Sequence, residues 1–522
     1  MLYFNKGKLA KSMNEQWTEI FRSEIETFQE QISAFQKGEI DKNAYKGKSG
    51  GMGSYAQRAS SVHMLRLRMP GGRLTVERLG FLADTVEQYA VEKMKLTTCE
   101  TVQLHNLPAE HVTPIMERAI ECGIYCKGGG GDNPRNVMCS PLSGVQPGEA
   151  FDVTPYAEAV TEYLLTICRD IKMPRKLKIA FCNGVDDSVH SAFRDMGFLA
   201  QENGTFAVRI AGGVGGSGHR MGVLVEKAAD PRDVLYYVRA MVDTFCTYGN
   251  YENRTNARTR FMQETLGMDG LKEVYLASVA ALKAIGGLDL EVQPRAIEKA
   301  GSDEIVDVRA IPQKQDGLYT VKYHPIGGIL PVEKPAILYT ILKDMLQVEC
   351  RIAPHETLYI TNLTAEEAEK VLAATGDGAK TVFEHSVACV GATICQQGIR
   401  DSQGLLRATV AAVQEAGIPD GALPKIVISG CPSSCAAHQA GTIGFQGCVK
   451  PVDGKPQPAF KMFLGGSDVL EAARFGELAA TVLEKDIPAL LVELGQAAAG
   501  LGWGEWSEKH AAERDAIIAK YA

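Results

Sequence analysis

Residues 63–107, HMLRLRMPGGRLTVERLGFLADTVEQYAVEKMKLTTCETVQLHNL, recur in outline between Leu318 and Leu363. Each copy reads as a strand, a Pro-x-Gly-Gly or Pro-Gly-Gly turn, a helix and a second strand; in the first copy the helix is expected from Val76 to Lys93 and the second strand over Val102 to Leu107. VQLHNL of the first copy matches LYITNL of the second, and the interval from Leu74 to Leu107 equals that from Leu330 to Leu363. Larger units correspond as well. KIAFCNG, from Lys178, pairs with KIVISGC, from Lys425, and FAVRIAGG, from Phe206, pairs with FKMFLGG, from Phe460. Solenoids need several short repeats, whereas two long ones imply a duplicated chain that folds about a pseudo-twofold axis, with a single asymmetric site between its halves.

The asymmetry lies in the cysteines. Only the second copy carries ACVGATICQQG, from Ala388, and SGCPSSCAAHQAGTIGF, from Ser429. Cys389 and Cys395 are spaced C-x5-C, and Cys431 and Cys435 are spaced C-x3-C beside Gly430 and Pro432, which turn the chain sharply. Soft thiolates on short loops suit an iron–sulfur cube. Buried cysteines acting as small hydrophobes are the plain alternative, and zinc is disfavoured by the five-residue spacer.

C-x5-C followed far downstream by G-C-P-x-x-C resembles the cluster motif of the siroheme-dependent sulfite and nitrite reductases. The resemblance covers nearly the whole chain after residue 50, including Gly53, Tyr55, Gln57 and Arg58 in the G-x-Y-x-Q-R entry to the first strand. It implies an α+β protein: three α/β domains built from a duplicated nitrite/sulfite reductase repeat with pseudo-twofold symmetry. Residues 1–60 would form a helix and linker arm, and 61–135 with 316–375 paired ferredoxin-like half-domains. The first-repeat siroheme and substrate domain would span 136–315, and the cluster domain 376–522. Cys389, Cys395, Cys431 and Cys435 would hold a [4Fe-4S] cluster, with Cys435 also bridging to the siroheme iron.

Basic residues dominate the first copy. Arg66 and Arg68 share one face of a strand, and Lys176 and Lys178 share one face after Pro174. A solvated edge is the plain reading of both pairs. The M-L-R-x-R, R-N-V and P-R-K-x-K motifs resemble those that carry the family's substrate-binding cations, which implies a quartet of Arg66, Arg135, Lys176 and Lys178. Arginines fork onto oxygens, whereas lysines can also hand over protons. The resemblance further places Lys95, Gln103, Arg254, Asn256, Arg258 and Arg260 at siroheme carboxylates. Cys99 stands where the family usually has arginine, which puts one of those contacts in question.

With 522 residues, 45% hydrophobic and 23% charged, the chain is long enough for about three domains of an ordinary globular protein. A net charge of -8 and the absence of a basic block argue against nucleic acid. MLYFNKGKLAK holds no signal-peptide core and no run suits a membrane span, so a cytoplasmic location with reduced thiols is expected. Apolar residues from Trp17 to Phe35 recur at spacings of three and four, the pattern of a docking helix, and Lys37 to Gly53 reads as a linker or extended arm. GVGGSG, from Gly213 to Gly218, matches a dinucleotide fingerprint formally, but the next helix starts only near Pro231, so a tight loop near the macrocycle is preferred. Cys122 and Cys126 read as packing residues at a helix end. No flavin or nicotinamide domain and no ferredoxin-type cysteine run is present, so electrons would come from ferredoxin or a similar carrier. The expected reaction is the six-electron reduction of sulfite to sulfide. Lys178 stands where plant-type nitrite enzymes tend to carry asparagine, which is the reason for preferring sulfite over nitrite. A non-catalytic protein with a structural zinc or iron–sulfur site is the alternative of another class.

Overall fold

The computed structural model describes residues 8–59, 61–216 and 218–522, with side chains from Trp17 onward. Its described strands form four five-stranded sheets, and the sheets come in two matched pairs. In the first pair, Ser54–Ala56, Val62–Leu67, Val102–Pro108 and Lys93–Leu96 line up antiparallel, as do Ala310–Pro312, Tyr319–Tyr323, Leu358–Leu363 and Glu349–Ile352. The fifth strand of each sheet comes from the other copy: Ile329–Leu330 completes the first, and Arg73–Leu74 completes the second. A single apolar core runs through both sheets, joining Leu65, Leu104 and Leu74 to Leu330, Ile352 and Ile360.

The exchange depends on the Gly-Gly turns. Gly72 has φ +71°, and a Cβ there would stand 2.3 Å from the Ile352 carbonyl oxygen of the other copy, so the close approach requires glycine. The duplication extends to individual backbone angles. Glu100 (φ 55°) and Asn106 (φ 60°) correspond to Glu356 (φ 65°) and Asn362 (φ 63°).

The second pair of sheets shares a mixed pattern. Met138–Cys139, Ile179–Cys182 and Met196–Ala200 run parallel, and Phe206–Ile210 and Val223–Ala229 then reverse. Val387–Ala388, Ile426–Ser429 and Ile443–Val452 run parallel, followed by Lys455–Leu464 and Glu477–Leu483 in reverse. Buried strands on both faces explain the continuous apolar runs IAFC and IVIS.

Two expectations change in detail. The first helix of the repeat ends at Tyr89, where Ala90 turns left-handed (φ 47°), and this frees Lys93–Leu96 to be a strand. The helix Lys8–Gln36 does dock, burying Phe21, Ile25, Phe28 and Ile32 in the core that also holds Ile115 and Met116 of helix Ala109–Glu121. The segment after it folds instead of forming an arm. Asp41 caps helix Lys42–Ser49 by accepting from the Asn43 and Ala44 amides, and buried Tyr45 stacks 4.2 Å from Phe35. Cys126 is buried and Cys122 is the C-cap residue of helix Ala109–Glu121, in keeping with packing roles. Among the described residues, no helix is long and apolar enough to cross a membrane.

Lys95 is the ion that pins the two halves. Its Nζ donates to the Gly327 carbonyl at 2.7 Å and to Glu356 Oε1 at 2.8 Å, and both side chains are almost wholly buried. Lys95, which the resemblance assigns to a siroheme carboxylate, thus has its ammonium engaged by the other repeat. Burial pushes the Glu356 carboxyl up to about 7 even with Lys95 beside it. Lys95→Met strands that carboxylate, and a loss of about 3–5 kcal/mol is expected in denaturant unfolding. A loss below ~1 kcal/mol would show that the pair does not hold the halves together.

Candidate functional site

Two loops carry the four cysteines, and one carbonyl ties them together. The Cys389 amide donates to Ile428, setting the first loop beside strand Ile426–Ser429, and the amides of Ile399 and Arg400 both donate to the Gly430 carbonyl. A Cβ at Gly430 would lie 2.5 Å from the Arg400 carbonyl oxygen, so glycine is required where the loops meet. The second loop is strained: Ser434 and Ala437 sit at φ 50° and 64°, on either side of Cys435 and Ala436.

The thiols are near neighbours. Cys435 lies close enough to Cys389 and Cys395 to disfavour their ionisation, and Cys431 acts on Cys395 in the same way. Burial is the larger cause, and it pushes Cys389 up to about 11. Backbone N–H groups are aimed at the sulfurs: Gly430 donates to Cys389 Sγ at 3.2 Å, and Gln397 and Gly398 donate to Cys395. Such bonds stabilise thiolates and tune cluster potentials. Among the described residues, no three His, Cys, Asp or Glu side chains converge tightly enough to hold a single metal ion.

The first repeat grips these loops. Arg58 donates to the Cys395 and Gly398 carbonyls, Thr98 Oγ1 donates to the Cys435 carbonyl at 2.7 Å, and the Gly216 amide donates to Pro432 at 2.6 Å. The glycine loop from Gly213 thus belongs to this site and does not open a helix.

Beside Cys435 stands a group of cations. Lys176 and Lys178 flank buried Leu177 in the extended stretch just before strand Ile179–Cys182, so alternation turns both ammoniums to the same side. Lys176 is held well below the usual ammonium range by burial, then by Arg258, Arg135 and Lys178, while Cys435 pulls the other way. Arg135 donates to the Gly129 and Gly131 carbonyls at 3.0 and 2.8 Å, and Arg66 also donates to Gly129. With its amide oxygen turned to the arginine, Gln103 accepts from Arg66 Nε at 3.2 Å. The quartet Arg66, Arg135, Lys176 and Lys178 therefore gathers in one place. Arg68 is buried instead, donating to the Lys127 and Arg135 carbonyls.

The NRTNARTR cluster divides. Arg258 reaches the cleft from Asp195, which it engages at 2.7 Å. Arg254 and Asn256 stay on the exposed rim, where Arg254 pairs with Asp132 at 2.8 Å. Arg260 is buried and holds the Gly215 and Gly218 carbonyls, shaping the glycine loop.

Sequence reasoning missed the support beneath these cations. Asp195, fully buried, accepts from Arg258 and Thr259 and from the Lys178 amide. Arg194 lies beside Cys99 and Lys178. The only signal for either was an Arg-Asp dipeptide ahead of a strand. Cys99 itself hydrogen-bonds Lys178, and Lys178, Arg194 and Arg66 bring its thiol down to about 6 against the opposing effect of burial.

Comparison with known proteins follows this geometry. The family profile described as "Nitrite and sulphite reductase 4Fe-4S domain" matches residues 130–281, and that of the "Nitrite/Sulfite reductase ferredoxin-like half domain" matches residues 55–122. The chain is 27% identical to the ferredoxin–nitrite reductase of Synechococcus elongatus, over 83% of this chain and 85% of the relative. It is 24% identical to a sulfite reductase [ferredoxin] 1 of Mycolicibacterium paratuberculosis, over 82% and 80%. The fold is similar to that of the Mycobacterium tuberculosis NirA protein, with a TM-score of 0.76 and 22% identity over 92% of this chain and 94% of that one.

Proposed function

Because the chain belongs to the nitrite and sulphite reductase family of oxidoreductases, we propose that it reduces sulfite to sulfide with electrons delivered singly by ferredoxin or a similar carrier. Its cofactors are siroheme and a [4Fe-4S] cluster, and the residues present fit both. Four thiols stand on loops gripped by the other repeat, and two of them, Cys389 and Cys395, accept from backbone N–H groups, which suits the cluster. The cleft crowds cations against one another and leaves Arg135 Nε and Arg258 Nε buried without partners, as a site for a polycarboxylate does. In this reading Cys389, Cys395, Cys431 and Cys435 hold the cluster, and Arg258 and Gln103 face siroheme carboxylates. When bound, the two groups supply the electrons and the iron to which the oxyanion's central atom binds.

The chain supplies charge and protons. Arg66 and Arg135 present fixed guanidiniums to the oxyanion's oxygens. Lys176 and Lys178 are ammoniums with their proton affinity lowered by burial, which makes them better acids toward oxygen leaving as water. The pairing of Lys176 and Lys178 on one side of the extended stretch before strand Ile179–Cys182 is the observation that carries the sulfite reading. Steady-state comparison of the holoenzyme on both anions tests it, and a far higher kcat/KM for nitrite would overturn it.

Cys99 favours a second reading, nitrite to ammonia. A thiolate where the family usually has arginine lowers the positive charge of the cleft, which suits a monoanion better than a dianion. The thiolate also sustains the Lys178 ammonium. Cys99→Ser is therefore expected to weaken that support and move the alkaline limb of the kcat/KM profile to lower pH. An unmoved limb would show that Cys99 does not act through Lys178.

A further inference from the structure

The duplication gives the substrate cleft a counterpart in the other half. Arg66 corresponds to Lys322, Cys99 to His355 and Lys178 to Lys425. The turn bearing Cys435 corresponds to the turn bearing Ser188. The match of the turns is close: helical turns Ser191–Phe193 and His438–Ala440 follow them, and His190 and Ala437 share a left-handed backbone, φ 61° and 64°. The four cysteines and the cation quartet leave this second position unexplained.

It is not filled. A cavity of about 40 Å³ remains there, lined by Ser188, His190, His355, Lys425 and Asp468, with Ala436 and Ala437 of the cysteine turn forming its far wall. That volume holds a few water-sized groups and excludes a macrocycle. Ser188 Oγ is buried and has no hydrogen-bond partner. Asp468 is occupied by His190 at 3.2 Å and more distantly by Lys425 at 3.9 Å. Lys322 has no carboxylate partner among the described residues and lies near enough to Lys425 for the two to repel. His355, which lines the cavity, shares a hydrogen bond between its Nε2 and the Tyr359 hydroxyl at 3.2 Å. Of the charges that line the cavity Lys425 and Asp468 offset one another, Lys322 adds a positive charge beside it, and the Ser188 hydroxyl stands idle; among the described residues no grouping of ligands suits a metal ion.

We propose that this pocket is a second binding site, for a small oxyanion, held by Lys425, Lys322, Ser188 and His355. The ligand completes the hydrogen bonding of Ser188 and relieves the repulsion between the lysines. It sits behind the turn that carries Cys435. The inference rests on the duplicated fold and stands apart from the choice of sulfite or nitrite.

Selenate is the probe, applied to holoenzyme crystals at millimolar concentration without electron donor. An anomalous selenium peak between Lys425 and His355 is expected, and it should vanish in Lys322→Met/Lys425→Met. In solution, equilibrium dialysis of labelled selenate should show one site fewer in the double variant and at least tenfold weaker binding at that site in Ser188→Ala, with cofactor absorbance retained. No peak in the pocket of the parent protein would overturn the proposal. So would a peak or stoichiometry unaltered by the double substitution, or binding seen only near molar selenate.

Discussion

Cys435→Ser is expected to yield a folded protein that has lost its cluster and turns over at less than about one thousandth of the parent rate, beyond the 10²–10³ cost of removing a single transition-state donor. A serine hydroxyl stays protonated where a thiol ionises, and it is a hard ligand where iron–sulfur chemistry takes soft ones. The backbone has no reason to collapse. The Cys435 carbonyl is held by Thr98, and the two loops are joined through the Gly430 carbonyl, none of which involves the sulfur. Iron and acid-labile sulfide analysis separates the outcomes: a full complement of both in a folded variant would remove Cys435 from the ligand set.

The second large effect is expected at the paired lysines. Lys176→Met and Lys178→Met should each lower kcat by about 10²–10⁴, the usual range for a positioned proton donor, while iron and siroheme contents stay at parent levels. Lys178→Arg separates charge from proton supply: it keeps the cation but cannot release a proton near neutral pH. It should recover KM and leave most of the loss in kcat. If both methionine variants turn over at the parent rate, the lysines are not at the reacting centre.

The duplication was legible because its markers are local. A Gly-Gly turn, a strand of alternating residues and a following helix leave a pattern in one dimension, and Gly72 and Gly328 occupy the same left-handed conformation. The exchange of short strands was not legible. Arg73–Leu74 and Ile329–Leu330 are two residues each, too short for any periodicity, and only the packed core decides which sheet they join. The same distinction runs through the site. Lys176 and Lys178 could be placed together from strand alternation, since both lie on one segment. Lys95 could not be placed, because its partner Glu356 is remote in sequence and its charge gives no hint of a buried mate. Arg254 and Arg258 look alike in NRTNARTR, yet the first finds Asp132 on the rim and the second finds buried Asp195. Arm and helix are likewise hard to tell apart between Lys37 and Gly53, where one tyrosine finding an aromatic stack outweighs a polar, glycine-rich composition.

The reciprocal loan of Arg73–Leu74 and Ile329–Leu330 has a consequence for how the molecule comes to exist at all. Neither sheet gains its last member until ribosomal synthesis has passed residue 330, so the amino-terminal portion must wait, incomplete, for most of translation. A severed polypeptide would inherit the same debt: two fragments made separately can each reach their final form only by clasping the other.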